Sequence, residues 1–150
     1  MAKFDMKSSK VVAQAINATL SGTTPSKGNI VDTLGYQAVT FAFLTGTVTD
    51  AGDATGFACE IQECDTTADA SFTAVADADL VGLESALTVT LDTADVDPVG
   101  MIGYVGSKRY VRCVWTGSTG TNAVISGVCI LEKARVQPPA SMVAADIAAT

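Results

Sequence analysis

Histidine is absent from all 150 residues of this chain. That removes the commonest general base near neutral pH and the commonest metal ligand. Ser-His-Asp and Cys-His mechanisms are excluded outright. Basic residues are scarce too: nine Lys and Arg against sixteen Asp and Glu give a formal net charge of −7. Binding phosphates would bring acid onto acid, so nucleic acid is not expected as a partner. No apolar run approaches the roughly 20 residues of a membrane helix, and no membrane partner is expected. The opening residues Met1 to Lys7 carry charges with no apolar stretch behind them, which does not read as a secretory signal. Charged residues are only 17%, too few for a coiled coil, while 48% apolar is too many for a disordered chain.

The groups that remain do not assemble into a catalytic set. Cys59, Cys64, Cys113 and Cys129 each sit in an apolar or alternating run without a paired CxxC knuckle, which reads as small buried hydrophobes. On one strand Cys59 and Cys64 would lie beyond disulfide reach and face opposite ways, whereas pairing of Cys113 with Cys129 stays open. Asp92 to Asp97 is rich in oxygen but lacks the glycine turn and the bidentate glutamate of an EF-hand, so it reads as a polar loop. Glu60 and Glu63 have an odd spacing that separates them on a strand, which spoils a carboxylate dyad. Gly117-Ser118-Thr119-Gly120 has no lysine and no following helix to cradle a phosphate. The chain is therefore expected to be no enzyme, with no cofactor, no metal and no catalytic residue.

Helical periodicity is almost missing, and short alternating runs separated by turn residues take its place. Strands are expected at Lys10–Ile16, Asn29–Asp32, Tyr36–Thr49, Phe57–Cys64, Ser71–Val75, Ala86–Leu91, Met101–Val105, Arg109–Trp115 and Ala123–Glu132. In the strongest run Val39, Phe41 and Phe43 share one face and Thr40, Ala42 and Leu44 the other; Phe57, Cys59 and Ile61 point inward on the next. Asp50 to Gly56 and Thr116 to Asn122 read as hairpin loops, and Asp77 to Gly82 as a connecting loop. This spacing predicts an all-β, antiparallel β-sandwich, jelly-roll or Greek-key-like, of about eight or nine short strands. The sandwich is assigned to residues 10–133, flanked by an N-terminal arm at 1–9 and an extended tail at 134–150.

The arms are candidate partner-binding segments, because Pro138 and Pro139 end strand pairing and the tail beyond them is apolar and almost uncharged. Candidate docking residues there are Lys3, Phe4, Arg135, Val136, Pro138, Pro139, Met142, Val143 and Ile147. Lys108, Arg109 and Arg112 are the only basic cluster; they pair with carboxylates of their own chain or with another subunit, and Arg109 and Arg112 are carried as candidate partner contacts.

Met101-Ile102-Gly103-Tyr104-Val105-Gly106-Ser107-Lys108-Arg109-Tyr110-Val111-Arg112 resembles the GYxGxKRYVR signature of small head structural proteins of tailed bacteriophages. The likeness runs in register over about residues 30 to 133. It takes in Gly35 to Phe41, the strand end at Glu60 to Asp65, Phe72 to Val75, Ala78 to Gly82 and Thr116 to Leu131. Cys113 and Cys129 depart from it, standing where valine or alanine is usual. The resemblance implies a virion protein made in the host cytoplasm, a decoration or cement protein on the capsid exterior. Its implied partners are the major capsid protein and further copies of itself, a trimer being favoured among homo-oligomers. A tail or neck component is the alternative. A host-surface carbohydrate-binding sandwich is a further one, disfavoured because the single Trp115 falls in an expected core strand.

Overall fold

The computed structural model describes residues 10–133 and the backbone of Ile147 and Ala148. The strands are β1 (Val11–Ser21), β2 (Ser26–Lys27), β3 (Ile30–Asp32), β4 (Ala38–Asp50), β5 (Phe57–Cys64) and β6 (Thr73–Ala74). They continue with β7 (Leu80–Val81), β8 (Pro98–Tyr104), β9 (Tyr110–Gly117), β10 (Thr121–Glu132) and β11 (Ile147–Ala148). Short 3-10 turns occupy Asp69–Ser71, Asp77–Asp79 and Glu84–Leu87. A five-stranded sheet has the order β1-β10-β4-β8-β7, and a six-stranded sheet the order β11-β3-β9-β5-β6 with β2 beside β9. Every pair is antiparallel. The expected all-β sandwich is the fold the chain adopts, and the strands beyond the expected number are two-residue pieces.

Alternation explains the core. Val39, Phe41 and Phe43 of β4 point inward and are buried, as are Phe57, Cys59 and Ile61 of β5. The inner faces meet where the ring of Phe43 from the first sheet packs edge-on to Trp115 from the second, centroids 5.3 Å apart. One cluster of buried side chains runs from Ala13 to Leu131 and draws on both sheets, as one continuous core does. Trp115 is wholly enclosed, and among the described residues its indole Nε1 has no hydrogen-bond partner.

Register slips shape the first sheet, two of them in the middle of long strands. In β1 both Ala15 and Ile16 are buried, because the register with β10 slips by one residue there. In β4 Thr45 keeps the inward phase of Val39, Phe41 and Phe43, and the slip between Thr45 and Val48 turns Val48 inward in place of Thr47; the buried Thr45 hydroxyl accepts from Asp97 N at 3.2 Å.

Three expectations are corrected. Asp50 to Gly56 and Thr116 to Asn122 are not hairpin loops: β4 and β10 belong to one sheet, β5 and β9 to the other. Their turn residues signal a reversal but say nothing about which sheet receives the next strand. The two crossings are tied together instead, Ser118 Oγ donating to Asp53 Oδ1 at 2.7 Å and Asp53 N to the Thr119 hydroxyl at 3.1 Å. Ala86–Leu91 is not a strand but a 3-10 turn with Leu87 buried, followed by a single bridge of Val89 to Phe57. Glu84 anchors that turn by accepting from Ile61 N at 2.6 Å. Within Asp77–Gly82, expected as plain loop, Leu80–Val81 pairs with β8.

Candidate functional site: a signature corner and a charge-free sheet face

The residues of the family-like signature build one corner of the sandwich. β8 ends in Tyr104, whose buried hydroxyl donates to Glu63 Oε2 at 2.6 Å and accepts from Lys108 N at 2.9 Å. This joins the end of one sheet to β5 of the other. Burial, and then the Glu63 carboxylate, push the phenol well above its ordinary range. Gly106 lies against the Tyr104 ring, where an added Cβ would come within 2.6 Å. Lys108 pairs with Asp65 at 2.5 Å, and that carboxylate raises the ammonium pKa.

Arg109 forks onto Asp32, with Nε at 3.1 Å from both carboxylate oxygens and one terminal nitrogen at 2.7 Å, and lies 4.9 Å over the ring of Tyr110. Arg112 is 3% exposed. It donates to Gln62 Oε1 at 2.9 and 2.8 Å, pairs with Asp69, and stacks 4.1 Å over Phe72. Both arginines proposed as partner contacts thus engage carboxylates of their own chain, and Arg112 is covered. Ile147 is placed by its backbone opposite Val31. Lys3, Phe4, Arg135, Val136, Pro138, Pro139, Met142 and Val143 lie outside the described residues, as do the rest of the arm at 1–9 and most of the tail.

Other candidates resolve as structure. Asp92 accepts from Ala51 N at 2.8 Å and Asp97 from the Thr93 hydroxyl at 3.0 Å, so the acidic loop closes on its own chain. Among the described residues no group of three or more Cys, Asp or Glu could hold a metal ion. Glu63 serves Tyr104, while Glu60 accepts from Gln62 at 2.6 Å. All four cysteines are free and buried. Burial raises the thiols of Cys59 and Cys129, and that of Cys113 to about 12, which keeps them protonated and inert. Cys64 differs, its thiol lowered by hydrogen bonds from Thr66. A cleft of about 380 Å³ lies beside the corner, between Thr33–Val39 and Tyr104–Arg109.

The feature that stands out is the outer face of the five-stranded sheet. Its strands contain only two charged residues, Asp50 and Glu132, each at a strand end. Between them, Val12, Leu44, Val81, Met101 and Val128 are exposed, Met101 to 70%. A shallow groove of about 590 Å³ runs across this face between Asn17, Leu44, Met101 and Val128. Gly127 lines its floor from the inward side, where an added Cβ would meet the buried Phe43 ring at 2.4 Å. The opposite sheet is the reverse: Lys27, Asp69, Arg112 and Gln62 form a connected polar layer on it.

Sequence reasoning missed this face. Its signal was the outward set of the strongest strand, Thr40, Ala42 and Leu44, which carries no charge. No protein-family model, curated protein or solved structure matches the chain.

Proposed function

We propose that this protein is a non-enzymatic structural subunit that docks on a protein shell: a decoration, or cement, protein on the exterior of a tailed-phage head. The observation that carries the reading is the outer face of β1-β10-β4-β8-β7, charged only at its strand ends and presenting exposed Val12, Leu44, Val81, Met101 and Val128. The resemblance of Gly103 to Arg112 to head structural proteins supplies the identity of the shell, and the major capsid protein is the partner. The strands of this face carry charge only at Asp50 and Glu132, at their ends, so its middle can desolvate against a neighbour without burying an unpaired charge.

Such a subunit works by linkage. A packed genome pushes outward, and the shell fails where capsomers part. A protein that binds the assembled shell but not its separated subunits stabilises it by RT ln(1 + [L]/Kd), about 2.7 kcal/mol per site at a hundredfold excess over Kd. Association of neighbouring copies adds avidity, because one anchored subunit raises the local concentration of the next.

The test is Met101→Glu, which places a carboxylate in the middle of the face. Met101 is exposed, so folding is expected to change by no more than about 0.5 kcal/mol. Co-sedimentation with undecorated heads is expected to show affinity reduced at least about tenfold. Equal occupancy by the variant would overturn docking through this face, and wild-type protein confined to a ring at the neck or tail would overturn the head assignment.

A further inference from the structure

The second sheet ends in a strand supplied from far along the chain. β11 pairs with β3, Ile147 opposite Val31 and Ala148 opposite Ile30. β3 is held without help from β11. Val31 and Asp32 pair with Val111 and Tyr110 of β9, Thr33 N donates to Arg109 O at 2.8 Å, and Arg109 grips the Asp32 carboxylate. Upstream, Gly28 N donates to Cys113 O and Asn29 N to Ala15 O, both at 2.8 Å, which tethers this segment to both sheets. The far edge of β3 is therefore a strand edge whose position is set before anything pairs with it. A preformed edge is what strand addition requires.

β10 ends in the first sheet, whereas β11 lies in the second. The intervening residues 134–146 can span at most on the order of 45 Å. Sheets in a sandwich lie only about 10 Å apart, so the same strand reaches its own β3 or that of an adjacent molecule. Within 134–150 the only charged side chains are Arg135 and Asp146, one of each sign. The segment thus approaches an acidic neighbour without the repulsion that opposes contact elsewhere on the surface.

We propose that the edge of β3 is an acceptor for the C-terminal strand of a second copy of this chain, so that β11 is exchanged between neighbours. Exchange keeps every pairing of the single molecule. Because each copy gives one strand and receives one, exchange closes either as a reciprocal two-fold dimer or as a head-to-tail ring when the rotation permits. The inference goes beyond shell docking, which uses a different surface, and it is read on purified protein with no shell present.

Sedimentation of the full-length chain from about 1 µM to 1 mM is the first measurement, a range that reaches the millimolar effective concentration of a tethered segment. The mass is expected to rise from 15.3 kDa to at least twice that value. Ala148→Pro, which removes a backbone donor from the exchanged strand, is expected to stay monomeric across the range. The second measurement uses the ¹⁵N-labelled Ala148→Pro chain, whose amide spectrum also reports that it is folded, titrated with a peptide of residues 140–150. Shifts are expected at the amides of Ile30, Val31 and Asp32, and the same peptide is expected to dissociate the wild-type oligomer. A wild-type chain that stays monomeric, an Ala148→Pro chain that associates equally, or peptide shifts that avoid β3 would each overturn the proposal. None of these results bears on head binding by the apolar face, which co-sedimentation reads separately.

Discussion

Arg112 shows how much one side chain can be asked to do. Its guanidinium is covered, and three different contacts hold it in place: the Gln62 amide oxygen, the Asp69 carboxylate and the face of Phe72. Asp69 is itself largely exposed, so solvent screens the Coulomb part of this pair. The planar fork onto Gln62 and the stacking on Phe72 carry the larger share. Lysine reproduces neither. Arg112→Lys is expected to lose about 1–3 kcal/mol of stability, read as a lower urea midpoint at unchanged m-value. The inward residues of this strand were legible: Val111, Cys113 and Trp115 are all fully buried. Arg112 was not, because alternation assigns it to the outer face without saying what lies over that face. Here the cover comes from Asp69–Ser71 and Phe72, far away in sequence, and no local pattern encodes that contact.

At the scale of elements, the departures from expectation share one cause. Turn chemistry is local, whereas strand partners are chosen by tertiary packing. Phe57–Cys64 is a strand as expected, but its neighbour is β9 and not the β4 that precedes it. Ala86–Leu91 has strand composition, yet Leu87 is better buried at the end of a 3-10 turn that Glu84 holds to β5. The two sheets are stitched where the β1 bulge meets the segment before β3. Gly28 sits in that seam, and a Cβ there would lie 2.5 Å from Ala15 O and 2.6 Å from Cys113 Sγ. Backbone on one side and a buried thiol on the other cannot both yield. Gly28→Ala is expected to cost at least about 2 kcal/mol, which in a domain of this size lowers Tm by roughly 4–8 °C in scanning calorimetry. A melting temperature within a degree of wild type would mean that the seam relaxes.

For the whole molecule, charge is distributed by sheet. The strands of the first sheet keep theirs at two ends, while the outer layer of the second gathers Lys27, Asp69 and Arg112. The signature motif was legible as a sequence pattern, but its charged residues prove to hold the corner together. The neutral face opposite was not legible, since it is made from five strands that come together only in the fold. The polar layer makes stability depend on acid in a definite direction. Lys27 and then Arg112 hold the Asp69 carboxyl below its ordinary value of 3.8. A carboxyl lowered in the folded state contributes stability that is complete above 3.8 and is lost as pH falls through the lowered value. Asp53, lowered to about 2 chiefly by the hydroxyls of Thr55 and Ser118, acts in the same sense. Glu84 opposes them: burial raises its pKa, so its contribution is complete below 4.5 and is lost as pH rises through the raised value. Asp69→Asn separates these effects, because it removes the charge and leaves Asp53 and Glu84 in place. The variant is expected to be less stable than wild type at pH 7, with the gap narrowing below 3.8 and closing once the wild-type carboxyl is itself protonated. Urea unfolding at a series of pH values measures that gap directly, and a gap that stays constant into acid would mean that Asp69 holds Lys27 and Arg112 through shape and hydrogen bonding rather than through its charge.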